Sequence, residues 1–585
     1  MQFLDKIKNG LSSFATSFGS FFKKKDGSAR RHPWFWGVSA FLLFVLLFIF
    51  SVLGSLRIFF PYLSEITGLP FSSKNYLFVF QNNHELRPGG GFISAYGIAH
   101  FQNGILTKLD VSDVYGDIDN HSYIEPPYPM KELLQNEWYK GYTFRDANYN
   151  PDFPAAAAEL TRMLHITKPD QQVDGVIAVN YSFLEDLLGA TGPVTVNGKM
   201  FSQNSLFEML EDQVNNVDKH NVDQLKNRKS ILKPFADALI KKIAFSPFKL
   251  RRVADTIVHS LATKEIQLYF NSPNLEKMVQ EQDWGGNWPD QINTDFLAVN
   301  EANLGGMKSD RYIQRKVTYN VTMKENSEGT FDLVSDVRIN IYHYGVENVP
   351  LNGSYTGYIR TFVPKGAKLL AVSADYKNSL HEEDQGLFHI FGNIIKLQPG
   401  EDTELRYQYS LPAKVDKNYH LYIPKQSGAQ EDYYTVLVQA PQGFLVNGSQ
   451  FEQKENIGTY QQELDNDVDL NLNISTDKTP PRIIYQGLDQ LGRIDIEFNA
   501  NVSNSSTEDP LNYQVADLNL THSEVTDQLQ IDHIEHSGKG VKLFVKGMTA
   551  QPEERYGVTL KNISDLHGNI IDPNPKMITA VQRIK

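Results

Sequence analysis

The sequence predicts a multidomain fold with an N-terminal transmembrane helix, an α/β domain and two all-β sandwiches. An uncharged apolar run, Trp34 to Leu56, lies near the N-terminus, and strands alternate with helices from Asn75 to about Asp310. From Tyr312 onward, short alternating strands follow one another without a helical stretch. A chain of 585 residues needs several cores, since domains usually hold about 100–200 residues. The predicted units are 1–33 (cytoplasmic basic tail), 34–56 (transmembrane helix), 57–73 (linker), 74–310 (α/β domain), 311–478 (β-sandwich) and 479–585 (small β domain).

The apolar run is long enough to cross a bilayer, which takes roughly 20 residues as a helix. Basic residues cluster on its upstream side, whereas only Arg57 follows it closely. The positive-inside rule then predicts a single-pass protein of the cell membrane, with a cytoplasmic N-terminus and the remainder outside. A cleaved signal peptide is the alternative, although its apolar region is usually about 7–15 residues long and an A-x-A site is missing here.

Composition excludes several classes of function. The net charge of −13 argues against a nucleic-acid partner. The absence of cysteine excludes disulfides, cysteine-ligated zinc and thiol nucleophiles, and in an exported chain it indicates a bacterial envelope. No P-loop, H-E-x-x-H or G-x-S-x-G motif occurs, which argues against nucleotide hydrolases, zinc peptidases and α/β-hydrolases.

Strand and helix patterns alternate in the predicted α/β domain. Pro154 and the alanines after it predict a helix start, and Ser182 to Leu188 predicts a short helix closed by Gly189. Apolar residues at three- and four-residue spacing predict the longest helix, from about Val222 to Ile243. The predicted strands are Tyr76 to Phe80, Gly91 to His100, Ile105 to Val114, Val176 to Asn180, Ile266 to Phe270 and Phe296 to Asn300.

The C-terminal half predicts two β-sandwiches, because its strands alternate and are separated by Gly, Pro, Asn and Asp. The Thr479-Pro480-Pro481 string, after a polar stretch, marks the boundary between them. We expect these units to carry no catalytic residues, since they show no cluster of acids, bases or nucleophiles.

A glycine-rich turn is the first candidate binding site. Arg87 precedes Gly89, Gly90 and Gly91, between two predicted strands. Glycine N–H groups can converge on an anion, and the arginine fork suits phosphate or carboxylate. The alternative is a tight hairpin in which Arg87 pairs with Glu85 at the surface.

Four carboxylates follow at the end of a strand, among them Asp113 and Asp117. Oxygen ligands suit Mg²⁺ or Ca²⁺, although the spacing of these carboxylates does not match an EF-hand loop. A solvated acidic turn is the alternative.

A second polar segment runs from Arg145 to Pro154. Turn and cap chemistry can explain its Asp and Asn residues, but it does not require Arg145 beside Asp146.

Arg228 lies four residues before Leu232 and seven before Phe235. On a helix it would project along the apolar face, where a guanidinium needs a carboxylate or a bound anion. A side chain that reaches solvent from a frayed helix end is the alternative. Arg87, Arg145, Arg228, Gly89, Gly90 and Asp146 are therefore the predicted ligand-binding residues, and no catalytic residue is assigned.

These segments resemble a bacterial family of unknown function, DUF4012. Its hallmarks are an E-L-R-P-x-G-G-F turn, an R-D-A-N-x-x-P-D-F-P segment and a D-G-V strand, present here as Glu85 to Phe92, Arg145 to Pro154 and Asp174 to Val176. The resemblance covers about residues 74 to 310. The C-terminal module, with its Thr479-Pro480-Pro481 start and Ile494 to Phe498 strand, resembles bacterial Ig-like domains of surface-layer proteins, which act as spacers or as contacts with other surface proteins.

A more distant resemblance is to the LytR-CpsA-Psr family, carried by the strand, arginine turn and aspartate cluster and by Val173 to Val196. That resemblance implies binding of a polyprenyl-phosphate-linked glycan outside the membrane through arginines, with transfer to a cell-wall polymer as a further step. In that family aspartates hold Mg²⁺, so the resemblance implies Mg²⁺ as a candidate cofactor. This chain has Gly89-Gly90-Gly91 where that family has an Arg-Ser-Asp string, so one metal-binding aspartate is missing, and Asp113 and Asp117 are the predicted metal ligands that are left. The alternative function is a non-catalytic envelope scaffold or adhesion protein.

Overall fold

The computed structural model describes Gly54 and residues 56–119, 122–134, 141–215, 231–347, 352–430, 432–489, 491–518, 528–548 and 554–582. The helices in these ranges are α1 (Leu63–Thr67), α2 (Val114–Asp117), α3 (Met130–Leu133), α4 (Phe153–Thr167), α5 (Tyr181–Thr191), α6 (Leu206–Asn215), α7 (Leu232–Ala244), α8 (Leu250–Ala262), α9 (Pro273–Glu281) and α10 (Asn504–Thr507). Short 3-10 turns are Arg57–Tyr62, Phe144–Asp146, Pro247–Lys249, Ser309–Tyr312, Ala374–Ser379 and Pro510–Asn512.

Strands make up much more of the described chain than helices do. The first half contributes β1 (Ser73–Arg87), β2 (Gly90–Gln102), β3 (Ile105–Asp113), β4 (Gly175–Asn180), β5 (Val194–Val196), β6 (Lys199–Phe201), β7 (Ile266–Phe270), β8 (Asp295–Phe296) and β9 (Ala298–Asn303). The middle contributes β10 (Ile313–Glu325), β11 (Phe331–His343), β12 (Tyr355–Pro364), β13 (Lys368–Val372), β14 (His381–Gln385), β15 (Phe388–Leu397), β16 (Asp402–Val415), β17 (Asn418–Ile423), β18 (Asp432–Gln439), β19 (Phe444–Asn447), β20 (Glu452–Lys454), β21 (Ile457–Glu463) and β22 (Val468–Thr476). The end contributes β23 (Ile483–Leu488), β24 (Ile494–Phe498), β25 (Tyr513–Asp517), β26 (Gln528–Leu529), β27 (Ile531–Ser537), β28 (Gly540–Val545), β29 (Arg555–Leu560) and β30 (Lys576–Val581).

The N-terminal sheet has the strand order β3-β2-β1-β4-β7. Strands β1 and β4 pair in parallel, and the other three pairs are antiparallel. Because side chains alternate along a strand, Leu77 and Val79 of β1 point to one face, and Phe78 and Phe80 point to the other. We call the first the filled face, since α4 covers it, and the second the cavity face, which α5, α7 and α8 cover.

Helix α4 begins where its sequence predicts, with Pro154 in the first turn and a run of alanines after it. Its Phe153, Ala156, Ala157 and Leu160 are fully buried against the filled face. Small alanines let the helix approach the sheet closely, and the larger side chains fill the remaining space.

The middle of the chain forms a larger β unit around one apolar core. A seven-stranded sheet has the order β13-β16-β11-β10-β18-β21-β20, and two four-stranded sheets have the orders β14-β15-β12-β9 and β19-β22-β17-β8. Strands β8 and β9 therefore pair with strands downstream of residue 311, across the domain boundary that the sequence predicts.

A loop after β17, residues 424–430, connects the β unit to the N-terminal sheet; we call it the bridging segment. Its Gln426 amide donates to the Arg87 carbonyl at 3.0 Å and to the Glu301 carbonyl at 2.8 Å. Its Ser427 hydroxyl donates to the Lys264 carbonyl at 2.7 Å. Residues 424–429 of this segment are buried, so their polar groups need these partners.

The C-terminal module contains two four-stranded sheets, β23-β24-β28-β27 and β26-β25-β29-β30, which share one small core. Residues Ile494, Ile496 and Phe498 of β24 are fully buried in that core, as alternation along a strand requires.

The fold class predicted from the sequence, with its transmembrane helix, α/β domain and two Ig-like sandwiches, is wrong. The described chain is mostly β-sheet with few helices, and none of its helices is long and apolar enough to cross a membrane. Residues 34–53 of the predicted span lie outside the described residues. An α/β class requires repeated parallel strands joined by helices, whereas the N-terminal sheet has one parallel pair. Alternation correctly located strands but carries no information on which strands pair.

Candidate functional site

An apolar cavity lies between the cavity face of the sheet and helices α5 and α7. It contains about 1020 Å³ of space free of protein atoms, counting the part that is open to solvent. Its walls are Phe78, Phe80, Ser94, Ala99, Phe101, Leu106, Leu109, Val111, Val179, Tyr181, Phe183, Leu184, Leu210, Leu232, Phe235, Ala236, Leu239 and Ile240. The space inside it that a water molecule can occupy is about 240 Å³, just below the roughly 300–1,000 Å³ that ligand pockets commonly hold.

The local sequence explains why the cavity is apolar. Residues Leu232, Phe235, Ala236, Leu239 and Ile240 of α7 recur at three- and four-residue spacing and therefore share one helix face. The strands present alternate residues to the same space, and these are mostly phenylalanine, leucine and valine. The cavity is consequently suited to hydrocarbon and not to a charged ligand along most of its length.

The cavity has two different ends. At one end Leu106 and Ile240 are 37% and 43% exposed and form an apolar rim. At the other, the Ser94 hydroxyl and the Tyr181 hydroxyl lie 3.0 Å apart and share a hydrogen bond. Leu106 of β3 pairs with Phe101 of β2, and Phe101 lies seven residues from Ser94 along β2. At ~3.3 Å per residue, the two ends of the cavity are therefore about 20 Å apart.

A charged cluster lies next to the polar end of the cavity. The Lys308 ammonium is 3.3 Å from a Glu211 carboxylate oxygen and 3.8 Å from a Glu85 oxygen. Burial alone would lower the pKa of Lys308, but the two carboxylates outweigh it and raise the pKa. Burial raises the pKa of Tyr181, and the Glu211 charge raises it further, so the phenol remains a hydrogen-bond donor at neutral pH.

Arg87, a predicted ligand-binding residue, is fully buried and surrounded by protein acceptors. Its Nε donates to Asp146 Oδ1 at 3.1 Å, its Nη2 donates to Glu85 Oε1 at 3.2 Å, and its Nη1 donates to the Asn303 carbonyl. Its side chain is 2% exposed. An anion could reach this guanidinium only by displacing Glu85 or Asp146.

Arg145 and Asp146, also predicted ligand-binding residues, lie beside Arg87. The Arg145 Nε is 3.9 Å from Asp146 Oδ2 and 3.4 Å from Asp119 Oδ2, and its guanidinium lies over the Tyr115 ring at 4.7 Å. The structure thus brings Arg87 and Arg145 together on one carboxylate. Arg228, the third predicted arginine, lies outside the described residues.

The predicted glycines form a close-packed turn. Gly90 has φ +135°, and a Cβ there would lie 1.8 Å from the Gln81 amide oxygen. The Gly89 N–H donates to the Asn148 carbonyl at 2.9 Å. Glycine is required at this turn because a side chain would collide with neighbouring polar groups.

The predicted metal ligands, Asp113 and Asp117, have separate local partners. Asp113 caps α2 by accepting from the Tyr115 N–H at 3.1 Å. Asp117 accepts from the Lys168 ammonium at 2.7 Å and from the Tyr96 hydroxyl. Burial of Asp117 opposes these hydrogen bonds, which nevertheless lower its pKa. Within the described residues, no group of three or more His, Asp or Glu side chains could hold a metal ion.

Sequence reasoning missed the cavity and the residues at its polar end. Tyr181 and Lys308 are far apart in the chain, and neither belongs to a motif with recognisable chemistry. The phenylalanines of β1 alternate as core residues do, so their sequence pattern does not distinguish a cavity wall from a filled core.

These features define a β-rich multidomain protein with an elongated apolar cavity in its N-terminal region. The model of the family DUF4012, described as a protein of unknown function, matches residues 72–214 and supports that family for this part of the chain. All three hallmark segments, from Glu85 to Phe92, Arg145 to Pro154 and Asp174 to Val176, lie within the match. The resemblances to the LytR-CpsA-Psr family and to Ig-like domains are not confirmed. No curated protein matches the chain.

Solved structures resemble parts of the chain weakly. The transcriptional regulator yvhJ from Bacillus subtilis is 12% identical, with 37% of this chain and 78% of that chain covered and a TM-score of 0.21. A protein from Listeria innocua is 12% identical, with coverages of 39% and 85% and a TM-score of 0.20. An M1 zinc metallopeptidase from Deinococcus radiodurans is 13% identical, with coverages of 30% and 45% and a TM-score of 0.17. Likenesses at these scores support no statement about function.

Proposed function

We propose that this chain binds a polyprenyl-phosphate-linked glycan outside the cell membrane, with the isoprenoid chain in the apolar cavity. The cavity is the observation that carries the proposal. Burial of hydrocarbon contributes about 25 cal/mol per Å² of apolar surface removed from water, and the cavity offers an apolar path about 20 Å long. A polyprenyl chain is an elongated hydrocarbon that fits such a path.

The polar end of the cavity suits the phosphate better than the apolar rim does. Ser94 and Tyr181 provide hydroxyl donors there, and Lys308 provides a cation a short distance beyond. Arg87 and Arg145 support this end by holding Asp146 and would contact the phosphate only after a rearrangement. Arg228 precedes the cavity-lining Leu232 by four residues in the sequence and remains a candidate phosphate ligand.

Binding is proposed here in preference to transfer. Transfer to a cell-wall polymer would need the pyrophosphate polarised by arginines and by Mg²⁺, for which Asp113 and Asp117 are the sequence candidates. Both aspartates have protein partners, and the described residues form no three-carboxylate cluster.

The proposal is tested by filling the cavity in the full chain. Ala236 lines the cavity, so Ala236→Trp should reduce retention of radiolabelled polyprenyl phosphate at least tenfold, equivalent to about 1.4 kcal/mol. Ala158 is exposed on α4, and Ala158→Trp is the matched control that should bind as the wild type does. Equal binding by the two variants, with both folded, would contradict the proposal.

A second candidate is the non-catalytic envelope scaffold. The satisfied pairing of Arg87 favours it, because these contacts consume the groups that would otherwise bind an anion. The buried bridging segment also favours it, since it fixes the β unit to the N-terminal sheet. A wild-type chain that retains no polyprenyl phosphate, yet still associates with other envelope proteins, would support the scaffold.

A further inference from the structure

One edge of the N-terminal region carries exposed apolar side chains. Phe248 is 83% exposed, Phe245 is 78% exposed, and Phe71 is 94% exposed. Ile105, Leu69 and Ile240 are also exposed. Large apolar side chains in contact with water are unfavourable, and a contiguous group of them marks an interaction surface.

The geometry of α7 and β3 places these residues at the same edge. The Lys233 ammonium donates to the Leu109 carbonyl at 3.3 Å, whereas Ile240 and Leu106 both line the cavity. From 233 to 240 a helix advances about 10 Å, and from 109 to 106 a strand covers about 10 Å. The C-terminal end of α7, and Phe245 beyond it, therefore lies beside the start of β3.

The turn before β3 extends this edge toward Phe71. The Phe71 N–H donates to the Asn103 side chain at 3.1 Å, and the Gly104 N–H donates to the Thr67 carbonyl at 3.0 Å. A Cβ on Gly104 would lie 2.8 Å from the Leu69 side chain. Leu69 and Phe71 thus adjoin Ile105, next to the apolar rim of the cavity.

The same edge is basic, although the chain as a whole is acidic. Residues 241–252, KKIAFSPFKLRR, contain five basic and no acidic residues, against a net charge of −13 for the chain. Lys242 and Lys249 donate to the Pro193 and Thr191 carbonyls at the end of α5. Lys241, Arg251 and Arg252 are exposed, with Asp255 3.8 Å from Arg251.

We propose that this edge, which we call the docking edge, rests on the surface of an anionic lipid bilayer with Phe245 and Phe248 inserted among the head groups. Its apolar residues are Leu69, Phe71, Ile105, Ile240, Phe245 and Phe248, and its basic residues are Lys241, Arg251 and Arg252. Aromatic side chains partition into the interface, and Lys and Arg side chains close to it are attracted to an anionic surface. The inference goes beyond the proposed function, because it holds for any ligand of the cavity. With the docking edge on the bilayer, the apolar rim of the cavity opens toward the bilayer.

Local depth in the bilayer is the measurement that tests this surface, because the full chain also carries the apolar run 34–56, which can itself associate with vesicles. The chain has no cysteine, so a single spin label can be placed by Phe248→Cys. Leu511 is 83% exposed, as Phe248 is, and lies in the C-terminal module, so Leu511→Cys is the matched control.

The labelled full-length chains are reconstituted in vesicles of phosphatidylcholine with phosphatidylglycerol, and collisions with oxygen and with a water-soluble nickel complex are measured. We expect at least a threefold higher oxygen-to-nickel collision ratio at position 248 than at 511. Equal ratios at the two positions would overturn the proposal. Failure of polyprenyl phosphate binding would not change this ratio, so the two proposals are tested separately.

Charge reversal tests whether the docking edge requires anionic lipids. Lys241→Glu, Arg251→Glu and Arg252→Glu together should at least halve the ratio at position 248, while Lys242 and Lys249 stay in place to hold the end of α5. A ratio at 248 that is the same in pure phosphatidylcholine, and unaffected by charge reversal, would overturn the requirement for an anionic surface.

Discussion

On the filled face of the N-terminal sheet, Leu77 and Val79 are fully buried against α4, whereas on the cavity face Phe78 and Phe80 line an open space. All four residues belong to one strand with regular alternation. The two faces differ in packing because of the helices that cover them. The small alanines of α4 allow close contact with the sheet, whereas α7 leaves a space between itself and the phenylalanines. Strand alternation therefore determines which residues share a face, while the opposing helix determines whether the space between them is filled.

The largest effect is expected from removing the carboxylate at the edge of the filled face. Asp146→Ala would leave the buried guanidinium of Arg87, and that of Arg145, with one carboxylate partner fewer each. Breaking a buried ion pair costs about 3–5 kcal/mol. We expect this loss in the opening free energies of β1 and β2 amides, measured by native-state hydrogen exchange, because a multidomain chain does not unfold in one transition.

Glu159→Ala is the control for this variant. Glu159 pairs with Arg162 at 2.6 Å, but the Arg162 side chain is 51% exposed, so its loss should cost only about 0–1 kcal/mol. If Asp146→Ala destabilises β1 no more than Glu159→Ala does, the buried pairing is not what holds this edge together.

A matched pair of leucine truncations compares the two faces directly. Leu160 is fully buried on the filled face, and Leu239 is 5% exposed and lines the cavity. Leu160→Ala should cost about 2–5 kcal/mol, because it creates a new void in a packed core. Leu239→Ala should cost at least about 1 kcal/mol less, because part of its surface already faces empty space.

Native-state hydrogen exchange of the β1 and β4 amides measures the destabilisation that each variant causes. Equal destabilisation would indicate that the cavity is closed in solution, and the contrast between the two faces would then be wrong.

The smallest effect concerns Glu185 on α5, beside the cavity. Burial, together with the Glu208 charge, raises the pKa of Glu185 from 4.5 to about 7. Because the folded state binds this proton more tightly than the unfolded state, the group stabilises the fold below about pH 4.5. That contribution is lost as the pH rises through about 7.

Glu185→Gln should remove this dependence. The opening free energy of the α5 amides in the wild type, relative to the variant and measured by hydrogen exchange, should therefore be higher at pH 5 than at pH 8. A difference between the two proteins that is the same at both pH values would show that Glu185 has an ordinary pKa in the folded chain.

Much of the secondary structure could be predicted from the sequence. Five of the six strands predicted before residue 310 form the N-terminal sheet, and α4 begins at its predicted proline. The sixth, Phe296 to Asn300, joins the β unit instead, because its partners β12 and β17 are distant in sequence. Local patterns report burial and turns, and pairing between distant strands requires information that no local window contains.

The candidate site was predictable only in its charged part. Arg87 and Asp146 were selected for their polarity, and they do meet, although 59 positions separate them. Their predicted role in anion binding is untested. Pairing of Arg87 with Glu85 was the alternative that the sequence offered, although the pair is buried and not at the surface. The sequence did not show that Asp146 would also occupy the guanidinium. The cavity was not predictable, since an aromatic wall and an aromatic core have the same sequence pattern.

Strands β8 and β9 have a consequence for how this chain is made. They follow the N-terminal sheet in the sequence, yet they pair with β17 and β12, which the ribosome produces later. Synthesis proceeds at about 5–20 residues per second, so the two strands wait several seconds with exposed edges. Residues 295–303 thus stay unpaired in a nascent chain until β12 and β17 have been made, and a fragment that ends at residue 310 would keep those edges permanently unpaired.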